Sequence, residues 1–80
     1  MPERTEILFQ VCAKVLELPV ESVAENLVPS DVPSWDSMKH IMLIMAVEEK
    51  FGLNLTDRQM ASIGGVEDLI HLIEEPDSNG

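Results

Sequence analysis

In Ser34-Trp35-Asp36-Ser37-Met38, residue types and spacing come nearest to chemistry. Asp36 suits the N-cap of the helix that follows, where its carboxylate accepts a first-turn N–H; Ser34 is a rival cap. Ser37 then sits exposed at the positive end of the helix dipole. A phosphate ester on its hydroxyl would be stabilised there by free backbone N–H groups. Asp36 is placed to help bind a metal ion, or to orient the hydroxyl, in another enzyme's site. The segment reads as a modification site, against the plainer alternative that Ser37 is only a first-turn residue.

The remaining reactive side chains point elsewhere. A serine nucleophile needs a base within reach, itself oriented by a third group. His40 follows Ser37 by three residues but falls near the inner face of the helix, where a histidine is partly buried and hydrogen-bonded. A small hydrolase using Ser37 and His40 would need both on one side of a pocket. His71, between Ile70 and Leu72, reads as a surface residue, and Cys12, within an apolar stripe, as a small buried hydrophobe. Cys12, His40 and His71 lack metal-ligand spacing. The stretch from Asp31 to Asp36 lacks the glycine of a calcium loop.

These residues need helices to position them, and the apolar pattern supplies four. Ile7, Leu8, Val11, Cys12, Val15 and Leu16 make one stripe over about residues 4–17, and Pro19 ends it. Residues 18–36 hold Pro19, Pro29 and Pro33 and no clear period. They read as a long ordered loop pinned by Val23 and Leu27, with a short helical turn at about 21–26. A second helix over about 37–51 stops at Gly52, in the C′ position. Thr56-Asp57-Arg58-Gln59 has the capping-box form and starts a short helix over about 57–62, which Gly64-Gly65 breaks. Val66, Leu69, Ile70 and Ile73 mark a fourth helix with Glu67 and Asp68 in its first turn. The fold class is all-α: three main helices, one short helix and one long loop.

The second helix carries two apolar stripes. Leu43, Ile44, Val47 and Phe51 share one face, with Ile41 at its margin. Met38, Met42 and Met45 form another. Either the helix is buried all round, or the methionines are an adaptable partner-binding surface. An unmodified helical adaptor would use that stripe and need no serine chemistry.

Composition narrows the classes further. Five Lys and Arg against 15 Asp and Glu give a net charge of −10, unlike nucleic-acid binders, which concentrate basic residues. One cysteine allows no internal disulfide, which suggests a reducing compartment. No apolar run approaches the roughly 20 residues of a membrane span, and no basic leader is seen. A small, acidic, cytoplasmic domain is expected, its charge steering it toward basic surfaces.

Asp36-Ser37-Met38 at the head of an apolar helix, in an acidic all-α chain of this length, resembles the acyl carrier protein family, whose motif is Asp-Ser-Leu. Residues 44–51, the Gly52 stop and the closing helix also fit, and the resemblance covers about 5–75. It implies a right-handed bundle of three long helices with a short helix before the last, and a single monomeric carrier domain over 1–80 with its core at about 4–75; Pro76 ends the last helix, so 76–80 read as a frayed tail. Ser37, supported by Asp36 and Trp35, would be the attachment point for 4′-phosphopantetheine, transferred from coenzyme A by a phosphopantetheinyl transferase. The carrier would hold acyl or aminoacyl groups as thioesters, shuttle them between enzymes of fatty acid, polyketide or specialised lipid biosynthesis, and catalyse nothing. An aminoacyl or peptidyl carrier of a nonribosomal-type pathway is the alternative.

By position, Met38, Ile41, Met42 and Met45 would contact partners such as a loading ligase or ketosynthase, and Glu48 and Glu49 would meet basic residues on them. The acyl pocket would be lined by Leu43, Val47, Leu55, Met60, Ile63 and Leu69. Lys39 and Met42 stand where carriers of fatty acid synthesis are usually acidic, and Trp35 is more like carriers of specialised pathways. Both features point to a dedicated partner.

Overall fold

The computed structural model describes residues 3–74. Four α-helices follow in order: α1 (Glu3–Leu16), α2 (Ser37–Phe51), α3 (Asp57–Ala61) and α4 (Val66–Glu74). No strand occurs among the described residues, as the helical spacing of the apolar residues requires. The expected tail at 76–80 lies outside them.

Each helix ends where local chemistry dictates. Asp36 caps α2, accepting from Lys39 N at 2.9 Å, while Ser34 instead donates its hydroxyl to Leu16 O at 3.1 Å. Gly52, at φ 67°, closes α2, and Leu53 N reaches back to Glu48 O at 2.8 Å. The same six-residue closure ends α1, where Leu18 N donates to Ala13 O at 2.9 Å. There Glu17 takes the left-handed position, at φ 60°, without a glycine's freedom. At α3 the capping box is complete: Gln59 N donates to Thr56 Oγ1 and Thr56 N to Gln59 Oε1.

The long loop is ordered, but not as its sequence suggests. The helical turn expected at 21–26 is replaced by two 3-10 turns, Val20–Ser22 and Pro29–Asp31. Proline placement explains the difference: Pro19 directly precedes the first turn and Pro29 opens the second, where its missing N–H costs nothing. Val23 is buried as expected, whereas Leu27 is half-buried and the stronger anchors are Val32 and Trp35. Leu27 packs against the core and also acts through its backbone, its carbonyl accepting from Val66 N at 3.0 Å. Gly65 permits this approach, because a Cβ there would lie 2.8 Å from Leu27 O.

One apolar cluster joins the elements. Leu8, Cys12 and Leu16 of α1 meet Leu43 and Val47 of α2 and Val66 and Leu69 of α4, all fully buried. Phe51 is half-buried against this cluster. The helix ends are tied as well, with Arg4 Nη1 donating to Ile73 O at 2.9 Å. Lys39 Nζ reaches Val15 O at 3.3 Å and Glu17 at 3.4 Å, so the start of α2 meets the end of α1.

Candidate functional site

Ser37 is the first residue of α2 and is exposed. Since Asp36 is the cap, the Ser37 hydroxyl has no capping duty. The backbone N–H groups of Ser37 and Met38 precede the first intrahelical bond, so they face outward without a helical acceptor. Lys39 N is satisfied by Asp36, and His40 N by the Asp36 carbonyl at 2.9 Å. The site therefore combines an exposed primary hydroxyl, two outward N–H donors and the positive dipole end of a 15-residue helix.

Trp35, immediately before the cap, is 4% exposed. Its Nε1–H donates to His40 Nδ1 at 3.0 Å, and the two rings stack at 6.0 Å with 30° between planes. His40 is half-buried and hydrogen-bonded, as its place on the helix predicts. An indole nitrogen can only donate, so His40 Nδ1 is the acceptor and a neutral ring carries its proton on Nε2. Neutral imidazole has one accepting nitrogen, and Trp35 occupies it. Ser37, Trp35 and His40 border one shallow depression with Pro29, Ile41 and Ile63. The depression brings them together on one side, with His40 Nδ1 engaged by Trp35.

The methionine stripe lies outside the core. Met38, Ile41, Met42 and Met45 are 68%, 56%, 48% and 58% exposed, so the all-round-buried alternative for α2 does not hold. The inner face is Leu43, Ile44 and Val47. Glu49 is exposed, but Glu48 is half-buried and accepts from Leu55 N at 2.8 Å, binding α2 to the segment before α3. Periodicity carries no signal for that bond, because Leu55 lies beyond the helix end.

Of the six residues expected to line an acyl pocket, Leu43, Val47 and Leu69 are fully buried and Ile63 nearly so. Leu55 and Met60 are half-buried against the same cluster. A surface depression reaches this end of the bundle beside Leu53, Leu55, Ile63, His71 and Leu72. His71 is exposed. Cys12 is fully buried, and burial pushes its thiol up to about 12. Among the described residues no group of three or more His, Cys, Asp or Glu is placed to hold a metal ion. Nor is any described helix long and apolar enough to cross a membrane.

Known proteins are similar to this chain in sequence. The chain is 32% identical over 75 residues to an acyl carrier protein of Zymomonas mobilis, covering 94% of this chain and 96% of that one. It is 31% identical over 64 residues to the acyl carrier protein of Buchnera aphidicola, covering 80% and 81%. Acyl carrier protein 1, chloroplastic, of Casuarina glauca is 31% identical over 74 residues, which are 92% of this chain but 54% of that longer protein. No family model matches the chain. An exposed serine behind an aspartate cap, at the head of the second helix of a four-helix bundle, thus coincides with relatedness along nearly the whole sequence. The chain belongs to the acyl carrier protein family.

Proposed function

We propose that Ser37 is esterified with 4′-phosphopantetheine from coenzyme A by a separate phosphopantetheinyl transferase, and that the chain then carries acyl groups between enzymes. When bound, that group supplies a flexible arm whose thiol holds an acyl group as a thioester. The observation that carries the reading is the exposed Ser37 hydroxyl at the N-terminus of α2, with Asp36 as the cap. The residues present fit the group. Ser37 has room outside the bundle, and the outward N–H groups of Ser37 and Met38 together with the helix dipole favour a phosphodiester. Lys39, committed to Val15 O and Glu17, is held back from the serine.

Several features support carriage without catalysis. His40, the one base near Ser37 in sequence, has its accepting nitrogen engaged by Trp35. The exposed Met38, Ile41, Met42 and Met45 offer partners an adaptable apolar surface beside the arm. Glu49 is exposed to meet basic residues on them, and Glu48, half-buried and bonded to Leu55 N, borders the same surface beside Met42 and Met45. We assign the partners to acyl-loading and acyl-processing enzymes of a dedicated pathway, because Lys39 and Met42 leave the head of α2 less acidic than its surroundings. The shared cluster of α1, α2 and α4 supports one carrier domain, for which we propose a cytoplasmic location. Cargo would enter by parting Leu43, Val47 and Leu69 beside Leu55, Met60 and Ile63, so a loaded chain should differ in core packing.

Incubation with coenzyme A and a broad-specificity phosphopantetheinyl transferase, followed by intact-mass measurement, tests this. A mass gain in the parent and none in Ser37→Ala is expected; equal behaviour of the two refutes it. The exposed stripe also favours a second reading, an unmodified adaptor. That reading prevails if Ser37→Ala keeps biological activity while Met42→Glu abolishes it.

A further inference from the structure

A groove runs along the surface between α1 and α2, beside the buried face of α1. Ile7, Val11 and Val15 form the half-buried margin of the α1 stripe, and Val11 and Val15 also pack against the core. Met42 and Ala46 form the opposite wall. The apolar surface of Ile7, Val11 and Val15 is only partly covered by the bundle, whereas Leu8, Cys12 and Leu16 are buried in it.

Charge sets the groove apart. The sequence has five basic side chains, and all three lysines, Lys14, Lys39 and Lys50, border it. Among the described residues only Glu17 and Glu49 of the acidic side chains do. Three cations against two anions make it locally net positive on a chain of net charge −10. Glu17 is already paired with Lys39 at 3.4 Å, leaving Lys14 and Lys50 exposed on the rim.

We propose that this groove docks an acidic amphipathic helix of a partner protein. Charge complementarity selects the occupant: carboxylates find cations here, whereas the bulk of the surface repels them. Length agrees too. Lys39 to Lys50 spans 11 helical steps, about 16 Å or three turns, enough to seat apolar side chains of a partner helix along its i, i+3, i+4 and i+7 positions. The acidic α4 of a second copy offers no such face, because it buries Val66, Leu69, Ile70 and Ile73 in its own core. The groove's Lys39 end lies two residues from Ser37, so a helix bound there would sit beside the hydroxyl without needing it. The proposal does not depend on modification of Ser37.

The test uses the full chain, labelled with 15N, and two synthetic amphipathic peptides, one of Leu and Glu and one of Leu and Lys. The Leu/Glu peptide should shift the amides of Val11, Val15, Met42 and Ala46 saturably. Combined Lys14→Glu and Lys50→Glu, both exposed and checked for fold by circular dichroism, should weaken it about tenfold or more. The Leu/Lys peptide should leave these amides unmoved. Absence of groove shifts, indifference to charge reversal, or equal groove binding by the Leu/Lys peptide overturns the proposal. So do concentration-dependent groove shifts without peptide, which would assign the face to a second copy.

Discussion

Replacing Trp35 with phenylalanine deletes one hydrogen bond while keeping an aromatic ring beneath the head of α2. The bond lost, Nε1–H to His40 Nδ1 at 3.0 Å, belongs to a side chain only 4% exposed. Its net worth is about 0.5–1.5 kcal/mol. The smaller ring leaves roughly 40 Å³ unfilled, which at about 24 cal/mol per Å³ adds about 1 kcal/mol. Trp35→Phe should therefore cost about 2 kcal/mol, or a fall in Tm of roughly 8–16 °C for a domain of this size. His40→Ala leaves the indole N–H without its partner and should cost about 1–3 kcal/mol. Because both changes remove the same bond, the double variant should lose less than the two singles together, by about 0.5–1.5 kcal/mol. Urea melts followed by far-ultraviolet circular dichroism measure all four proteins alike. The parent offers an independent check, since Trp35 is the one tryptophan and there is no tyrosine, so its emission reports this site alone. Coupling below about 0.3 kcal/mol would refute the reasoning, as would emission typical of a solvated indole in the folded parent.

Other substitutions probe the scaffold. Leu43→Ala, at a fully buried position, should cost about 2–5 kcal/mol in urea melts, while Phe51→Ala, half-buried, should cost less; the reverse order would contradict the core described. Gly65→Ala places a methyl against Leu27 O and should loosen the loop, read as faster amide exchange at Val66 with α1 and α2 protection retained. Burial holds the Cys12 thiol neutral up to about 12 in the folded state, whereas an unfolded thiol ionises near its ordinary range of about 8.5. The unfolded chain therefore holds fewer protons above that range, and stability should be present in full below it and fall as pH rises toward about 12; Cys12→Ala should remove that part of the slope.

How far the sequence anticipates the fold depends on whether the cause is local. The four helices are legible because their causes lie within a few residues: 3.6-residue periodicity, the Asp36 and Thr56 caps, and Gly52 in the left-handed position. The loop is not, because Val32 and Trp35 are buried by elements distant in sequence, and because Gly65 serves an approach to Leu27 that no pattern encodes. At the site, Ser37 stands out from cap chemistry alone. The methionine stripe admits two readings until exposure separates them. Partners of single polar atoms, Trp35 with His40 and Glu48 with Leu55 N, lie beyond what residue type and spacing convey. The opposite fates of Glu48 and Glu49, adjacent and chemically alike, come from the turn after α2, which brings Leu55 N within 2.8 Å of one carboxylate only.

The central claim is that Ser37, freed from capping by Asp36, is the point of attachment. Site-resolved mass spectrometry after incubation with coenzyme A and a phosphopantetheinyl transferase tests it most directly. The account predicts a single phosphopantetheine per chain, on the peptide containing Ser37, and none in Ser37→Ala. An unmodified parent, or a group attached at any other residue, would contradict it.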